Sequence, residues 1–289
     1  MVPKEFLRDQ ELPDKDVSRD EDEETAPVST WVFDKNQEGV LRRQWIVKEQ
    51  PVTLYLNGEE MVTLLCAGHH LDELAIGFLH AEGFLKEPQD LERIEIDGEL
   101  GKVEAFVPGA SPLLRNLWEK RTITSGCGKG SVFYYALDSL LAQKIQSPLR
   151  VSPRQVLDRI DDLNRLSETY RRTHGVHNTA LASPEEILLF RNDIGRHNAV
   201  DMIVGHVFQK RISLEDKFIL TTGRLTSEIL IKAAKVGLPM LVSRNTATTL
   251  AVELAGSLNI TLIGYARGGK FTVYSGEERV VGGELGLLG

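Results

Sequence analysis

The chain has 289 residues, of which 42% are hydrophobic and 26% charged, values that are ordinary for a soluble globular protein of one large domain or two smaller ones. No apolar run approaches the ~18 residues that a membrane span requires, and the N-terminus lacks the basic start and apolar core of a secretory signal. Two cysteines, Cys66 and Cys127, are too few for a disulfide framework or a four-cysteine zinc site, so the cytoplasm is the expected location.

The formal net charge of −8 is concentrated at the N-terminus. Residues 1–28 hold ten acidic and four basic residues, which gives −6 and leaves −2 for the rest of the chain. Because this segment has few large apolar residues, it cannot offset the entropy lost on ordering, and we predict a disordered acidic tail over 1–28. The remaining sequence shows no basic stripe with interleaved aromatic residues, so nucleic acid is not an expected partner.

Residues 29–120 predict a small α+β domain. Two strands are expected around the turn dipeptide Asn57-Gly58. The segment "HHLDELAIGFLHAEGFL" repeats apolar residues at helical spacing from Leu71 onward, and Gly83 is a plausible stop. A second hairpin is expected to turn at Asp97-Gly98.

Residues 121–289 alternate between helical and strand patterns. We expect helices over 131–144 and 152–169, the second opened by Ser152-Pro153. Strands and helices then follow in turn from "ILLFRND" to "ITLIGYARG". Repeated units of this kind predict an α/β domain with a mostly parallel sheet covered by helices.

The loops that follow these strands each carry an arginine. They are "DIGRHN", "TTGRLTS" with Arg224, "SRNTAT" with Arg244, and "ARGGK" with Arg267 and Lys270. In open α/β sheets, ligands bind beyond the carboxyl ends of the strands. Because the loops are expected at one edge, they predict a binding site for an anion, although "TTGRLTSEI" matches neither the P-loop nor G-x-G-x-x-G.

Cys127 lies in "TSGCGKGS", among glycines and hydroxyl residues. Ser131 is a good N-cap for the expected helix, and both a helix N-terminus and the neighbouring Lys129 would lower the pKa of a thiol. We therefore interpret Cys127 as a reactive cysteine. Cys66 lies in the apolar strand "MVTLLCAG" and is interpreted as a buried structural thiol.

The histidines leave a zinc site open as an alternative. His174 and His177 are three residues apart, and Asp193 and Cys127 could complete a set of four ligands. A close histidine pair is more often a local hydrogen-bonding feature.

Several motifs, taken in order, resemble the FdhD-type accessory sulfurtransferases of formate dehydrogenases. They include "EQPVTLYLNGE", "DELAIGFLHAEG", "SGCGKGS", "THGVHNTAL", "NDIGRHNAVD", "TTGRLTSEIL" and "LIGYARGGKFTVYS", and they span residues 49–275. The resemblance implies a cytidine deaminase-like core for residues 121–289. The zinc signature of the deaminases is absent, and a fold does not imply an activity.

The resemblance also implies a function. Such proteins receive sulfur from a cysteine desulfurase as a cysteine persulfide and pass it to the molybdenum cofactor, a bis-molybdopterin guanine dinucleotide, before its insertion into formate dehydrogenase. Cys127 would carry the persulfide. The cofactor-binding stretch would be Tyr265, Ala266, Arg267, Gly268, Gly269 and Lys270. From the arginine-bearing loops described above, we add Arg224 and Arg244 as expected phosphate ligands. A homodimer is expected by the same analogy.

One departure from the family keeps an alternative open. Many members have two cysteines spaced C-x-x-C at this loop, whereas here only Cys127 is present, preceded by Ser125 and Gly126. Either one persulfide suffices, or the protein only binds the cofactor as a chaperone. A zinc hydrolase that uses the histidines is a more distant alternative.

Overall fold

The computed structural model describes residues 24–36, 39–110 and 144–282, together with the backbone of residues 122–123 and 129–130. Within these ranges the α-helices are α1 (Leu71–Glu82), α2 (Pro153–Leu166), α3 (Glu168–Thr173), α4 (Arg196–Lys210), α5 (Ser227–Lys235) and α6 (Thr249–Leu258). The first strands are β1 (Thr25–Phe33), β2 (Gly39–Val47), β3 (Gln50–Leu56), β4 (Glu59–Cys66), β5 (Arg93–Asp97), β6 (Lys102–Phe106), β7 (Thr122–Ile123) and β8 (Lys129–Gly130). The others are β9 (His177–Ala182), β10 (Ile187–Asp193), β11 (Phe218–Thr221), β12 (Met240–Ser243), β13 (Thr261–Arg267) and β14 (Lys270–Ser275).

The four-stranded sheet near the N-terminus has the order β4-β3-β6-β5 and packs one face against α1. Asn57 and Gly58, two residue types that tolerate positive φ, both adopt it at the β3–β4 turn, which confirms the predicted hairpin. The β5–β6 hairpin is also confirmed. Helix α1 covers the predicted segment and ends at Gly83, whose φ of 86° suits a glycine C-cap.

The six-stranded sheet has the order β10-β9-β11-β12-β13-β14 and is mixed, so the prediction of a mostly parallel sheet was wrong. Only the β11–β12 and β12–β13 pairs are parallel. The difference arises because β9 lies between β10 and β11 in the opposite direction, and β14 turns back from β13. The short buried sequence "HNTALA" of β9 has no alternation that would have marked it as a strand.

Helices cover both faces of this sheet. Apolar residues of α4, α5 and α6 form one core with one face, and residues of α2 form a second core with the other face. The predicted helix over 152–169 is divided at Ser167, where α2 ends and α3 begins. Ser152 caps α2 as expected, because its side chain accepts a hydrogen bond from the amide of Gln155.

Helices α1 and α4 cross at close range and join the two sheets. A Cβ atom on Gly77 would overlap the carbonyl oxygen of Asp201, and one on Gly205 would overlap the carbonyl oxygen of Glu73. Met202 of α4 packs into the core of the four-stranded sheet. The division into domains at residues 120 and 121, and the cytidine deaminase-like core, stay predictions.

The N-terminal hairpin begins earlier than the composition indicated. Strand β1 starts at Thr25 and pairs with β2, so residues 25–28, which we assigned to the disordered tail, belong to a strand. Glu24 is buried and accepts hydrogen bonds from Thr169 and Asn192. Burial of a carboxylate among donors fixes the start of β1 to the body of the protein. Of the helices in the described ranges, none is long and apolar enough to cross a bilayer.

Candidate functional site

Four strands of the six-stranded sheet end at one edge. Strands β10, β11, β12 and β13 run in the same direction, and β9 begins at this edge, where His177 is paired with Asp193. The loops after these strands contain Arg224, Arg244 and Arg267, with Arg196 at the start of α4. The prediction that the arginine-bearing loops share one edge is therefore confirmed, although the sheet is mixed.

Two neighbouring loops at this edge are built in the same way. The Thr221 hydroxyl accepts a hydrogen bond from the amide of Gly223 at 3.2 Å, and the Ser243 hydroxyl accepts one from the amide of Asn245 at 2.9 Å. Ser243 also donates to the carbonyl of Gly223 at 2.6 Å, which ties the two loops together. These hydrogen bonds help to fix the conformation of both loops.

The same spacing continues into the helices. Leu225 and Ala247 form a bridge between the loops, and Thr226 and Thr248 are the N-caps of α5 and α6. The two strand–loop–helix units therefore repeat, a relationship that is hard to see in the sequence because the two segments share few residues besides the hydroxyl and threonine positions. The repeated spacing of these polar residues was the available signal.

Three helix N-termini lie at the edge. Helices α4, α5 and α6 each begin directly after a loop from the strands, at Arg196, Ser227 and Thr249. A helix N-terminus carries a partial positive charge and amides without an intrahelical partner, and both favour anions. Within the part of the chain that the structure describes, the buried hydroxyl of Thr226 has no hydrogen-bond partner, although it is the N-cap of α5.

Guanidinium groups meet around His177. The side chain of Arg196 lies against Gly223, where a Cβ atom would come within 2.8 Å of the Arg196 Cβ. Burial lowers the pKa of His177, and the positive charges of Arg196 and Arg224 lower it further. His197 contacts Glu228, with 3.3 Å between Nε2 and Oε2. The edge thus combines several positive charges with the carboxylates of Glu228 and Asp193.

The predicted cofactor-binding stretch 265–270 forms the tip of the β13–β14 hairpin. Arg267 pairs with Lys270 across Gly268 and Gly269, whose φ values of 60° and 74° suit the two-glycine turn. Both charged side chains are exposed.

Two other residues of this stretch have different surroundings. Tyr265 is 43% exposed, and its amide donates to the carbonyl of Asn245 at 3.0 Å, so the hairpin is joined to the β12–α6 loop. Ala266 is fully buried in the core beneath α2, so its side chain cannot contact a ligand.

Arg244 is half-buried and directed toward α2. Its Nη1 donates to the Asn164 side chain at 2.7 Å, while Nε is buried without a hydrogen-bond partner among the described residues. Arg224 is exposed, in contrast. Of these two predicted phosphate ligands, Arg224 is the more accessible to a ligand.

A cavity of about 290 Å³ opens beside the cationic loops. It is lined by Tyr170, His174, Gly175, Val176, His177, Ile194 and Thr222. The sequence marked both histidines, as possible zinc ligands, but not Tyr170, which lies in α3. Across the described ranges, no group of three or more His, Cys, Asp or Glu side chains could hold a metal ion.

Of the two cysteines, only Cys66 lies among the described residues. Cys66 is 0% exposed, which confirms a buried structural thiol. Burial, and to a smaller extent the negative charge of Asp193, raises the pKa of this thiol to about 12. Cys127 lies outside the described residues. The strands on either side of its loop pair with each other, Thr122 with Gly130 and Ile123 with Lys129.

Comparisons with known proteins agree on one family. Sulfur carrier protein FdhD of Bacillus subtilis (strain 168) is 40% identical over 259 residues, which are 90% of this chain and 98% of that protein. The protein of the same name from Geobacillus kaustophilus (strain HTA426) is 39% identical over 236 residues, 82% of this chain and 90% of that protein.

A solved structure shows the same fold. The crystal structure of a candidate formate dehydrogenase accessory protein from Desulfotalea psychrophila has a TM-score of 0.73 at 22% identity, and the match covers 89% of this chain and 99% of that one. The sequence model of the FdhD/NarQ family matches residues 47–281. The chain therefore belongs to the FdhD/NarQ family.

Proposed function

We propose that this protein is a sulfur carrier that serves a formate dehydrogenase by delivering sulfur to its molybdenum cofactor, the bis-molybdopterin guanine dinucleotide. The observation that carries the proposal is the nearly full-length match to proteins named sulfur carrier, 98% of the Bacillus subtilis protein. The cationic sheet edge supports it, because a guanine dinucleotide is a polyanion. The proposed location is the cytoplasm, where thiols stay reduced.

Cys127 is the proposed site of the persulfide. The sequence has two cysteines, and Cys66 is fully buried with a raised pKa, so it is a poor nucleophile. The remaining thiol is that of Cys127, which has a glycine on each side in the sequence. Small neighbouring residues favour the approach of another molecule to the thiol sulfur.

The loading step conserves electrons. The Cys127 thiolate attacks the outer sulfur of a persulfide on a cysteine desulfurase, a new S–S bond forms, and the desulfurase thiolate leaves. Releasing that sulfur as sulfide later requires two electrons. A second cysteine in a C-x-x-C loop could supply them by forming a disulfide, but Thr124 stands at that position here. An external thiol is therefore the proposed reductant.

The phosphates of the cofactor are proposed to bind at the sheet edge. Arg224, Arg267 and Lys270 are exposed there, and Arg244 presents a half-buried guanidinium. Three helix N-termini face the same edge. One arginine guanidinium can donate hydrogen bonds to two phosphate oxygens at once. Loops that are already fixed by hydrogen bonds lose less conformational entropy when a ligand binds.

A complementation experiment separates carrier from chaperone. In cells that lack their own copy, Cys127→Ala is expected to abolish formate dehydrogenase activity while the protein itself accumulates normally. Cys66→Ala is the matched control and should keep most of the activity, measured at a temperature at which the variant stays folded. Undiminished activity of Cys127→Ala would support the chaperone instead.

A binding experiment addresses the anion site. Calorimetric titration with GDP is expected to show that Arg224→Ala and Arg267→Ala each weaken binding roughly tenfold, as for the loss of a charge-assisted hydrogen bond. Arg154→Ala is the control, because the Arg154 side chain is 90% exposed on α2. Equal affinities for all four proteins would contradict phosphate binding at this edge.

A further inference from the structure

Asp193 is buried at the sheet edge that carries the arginine-bearing loops. It is the last residue of β10, is 0% exposed, and is paired with His177, which lines the cavity. Its Oδ1 accepts hydrogen bonds from the amide of Gly195 at 2.7 Å and from the side chain of Asn198 at 2.8 Å. Its Oδ2 accepts a third from the amide of Ala67 at 2.8 Å. One buried carboxylate therefore satisfies three donors from separate parts of the chain.

Two of these hydrogen bonds fix the first turn of α4. An aspartate that accepts a hydrogen bond from the amide two positions later closes a short turn, which is a common way to fix a loop. Gly195 is the N-cap of α4, and Asn198 is the third residue of that helix. Because Asp193 binds both, it sets the direction in which α4 begins.

Little room is left around the N-cap. A Cβ atom on Gly195 would lie 2.9 Å from Nδ2 of Asn198 and 3.4 Å from Oδ1 of Asp193. The glycine supplies no side-chain oxygen to the first amides of α4, which favours an external anion at this helix N-terminus. The tight turn is thus compatible with a ligand in front of the helix and a carboxylate behind it.

The four-stranded sheet braces the same turn from the other side. Besides the amide of Ala67, the ring of His69 takes part, with Nε2 at 2.8 Å from the carbonyl oxygen of Asn192. Asn198 Nδ2 also donates to the carbonyl of Leu65 at 2.8 Å. The end of β4 and the β4–α1 turn therefore hold the end of β10 and the first turn of α4 together.

The residue that the first turn of α4 brings to the edge is Arg196. Its side chain packs on the loop after β11, where a Cβ atom on Gly223 would lie 2.8 Å from the Arg196 Cβ and 3.2 Å from its Cδ. Arg224 follows Gly223 directly, and both arginines contribute to the lowered pKa of His177. The direction of α4 therefore decides how Arg196 and the β11–α5 loop meet.

A carboxylate at this position is electrostatically unfavourable. Burial raises the pKa of Asp193, and the hydrogen bonds from Ala67, Gly195 and Asn198 oppose that rise only in part. Its negative charge also repels an anion bound at the same edge. Unlike an amide or an apolar side chain, however, a carboxylate has two oxygens that can accept from donors on both sides of it.

We propose that Asp193 is a positioning residue of this edge: its carboxylate links the β4–α1 turn to the first turn of α4 and so sets the position of Arg196 relative to the phosphates of a bound nucleotide. Because the nucleotide is the ligand of the proposed function, this role rests on that function. Asp193 itself does not touch the ligand and acts through α4. Binding groups are effective only when hydrogen bonds behind them hold their geometry.

The test compares two neutral replacements of Asp193 in the full-length chain. Asp193→Asn keeps one oxygen for Gly195 and Asn198, whereas Asp193→Ala keeps none, and both remove the charge. Calorimetric titration with GDP should show that Asp193→Ala binds roughly tenfold more weakly than Asp193→Asn. Asp193→Asn should stay within about threefold of the unmodified protein, because the lost bond to Ala67 and the lost repulsion of the phosphates act in opposite directions.

A control separates positioning from a general loss of stability. Thr261 is 0% exposed and begins β13 at the opposite edge of the sheet, where its hydroxyl donates to the carbonyl of Gly276 at 2.8 Å. Thr261→Val should lower the unfolding temperature and leave the affinity for GDP unchanged. Circular dichroism checks that each variant is folded. If Asp193→Ala does not fold, Asn198→Ala takes its place and should bind GDP several-fold more weakly than Thr261→Val, because one donor to the carboxylate is lost.

Two kinds of failure can be told apart. Equal affinities of Asp193→Ala and Asp193→Asn, or of Asn198→Ala and Thr261→Val where the first variant does not fold, would overturn the positioning role. If Arg224→Ala still weakens binding in that case, the proposed function stands. An unmodified protein that does not bind GDP would overturn nucleotide binding at this edge, and the role of Asp193 with it.

Discussion

The surroundings of His177 indicate the electrostatic environment of a ligand bound at the sheet edge. His177 begins β9 and lines the cavity. Burial is the main cause of its lowered pKa, and the positive charges of Arg196 and Arg224 lower the pKa further. A neutral imidazole beside two guanidinium groups indicates a positive local potential. The same potential would attract the phosphates of a nucleotide.

The protonation of His177 should therefore respond to an anion. Binding of GDP would offset the charges of Arg196 and Arg224, so the pKa of His177 should rise from its lowered value. By linkage, the affinity for GDP should increase as the pH falls through that pKa, below the ordinary value of 6.5. NMR titration of the His177 ring with and without GDP measures the shift, and an unchanged or lower pKa in the complex would contradict phosphate binding near this residue.

Cys66 should behave as an inert thiol. With a pKa of about 12 and no exposure, it has almost no thiolate at pH 8. A Cys127→Ser chain should not react with an aromatic disulfide reagent until it is unfolded, after which one thiol per chain should be detected by absorbance. Rapid labelling of the native variant would contradict the burial of Cys66.

At the scale of elements, local signals were sufficient for much of the fold. The helical spacing in α1, the capping of α2 by Ser152 and the turn at Asn57-Gly58 all depend on neighbouring residues, and each was predicted correctly. The arginine-bearing loops could be placed together because each follows a strand.

Other elements depend on contacts that are distant in sequence. Strand β9 is recognisable only between β10 and β11, and its insertion is the reason that the sheet is mixed. The break at Ser167 creates α3, which supplies Tyr170 to the cavity. Ser167 donates to the Asn178 side chain at 2.8 Å, a contact with β9 that a helical pattern could not reveal.

The crossing of α1 and α4 makes a prediction about its glycines. Alanine normally stabilises a helix interior by up to about 1 kcal/mol relative to glycine. At Gly77 or Gly205 it should instead destabilise the protein by roughly 1–3 kcal/mol or more, because Cβ would overlap backbone of the facing helix. Thermal unfolding measures the effect, with Gly98→Ala as the control, since nothing lies near its Cβ. Two substitutions without any loss of stability would contradict the close crossing.

Across the whole molecule, one buried ionic cluster joins the two sheets. Glu73 of α1 accepts two hydrogen bonds from Arg191 of β10, at 2.6 and 2.7 Å, and one from His206 of α4 at 2.7 Å. All three residues are less than 9% exposed. Removing one member would leave a buried charge without a partner, which is strongly destabilising.

The ionisation of Glu73 in this cluster should make the stability of the protein depend on pH. Burial alone would raise the pKa of Glu73, but the hydrogen bonds from Arg191 and His206 lower it from 4.5 to about 2. A depressed carboxyl pKa stabilises the fold above pH 4.5 and loses that contribution, on the order of 3 kcal/mol, as the pH falls from 4.5 to 2. Denaturant unfolding should show that Glu73→Gln is less stable at pH 7 and loses less stability over this range.

Glu92→Gln is the matched control, because the Glu92 side chain is 57% exposed and should alter neither quantity appreciably. A pH profile of Glu73→Gln that runs parallel to that of the unmodified protein would show that the cluster does not hold Glu73 ionised.

Sulfur loading of Cys127 is the most direct test of the proposed carrier function. The purified full-length chain is incubated with a cysteine desulfurase and cysteine, and its peptides are analysed by mass spectrometry without reduction. One added sulfur is expected on the peptide that contains Cys127 and none on the peptide that contains Cys66. Sulfur on neither peptide, or on Cys66 alone, would contradict it.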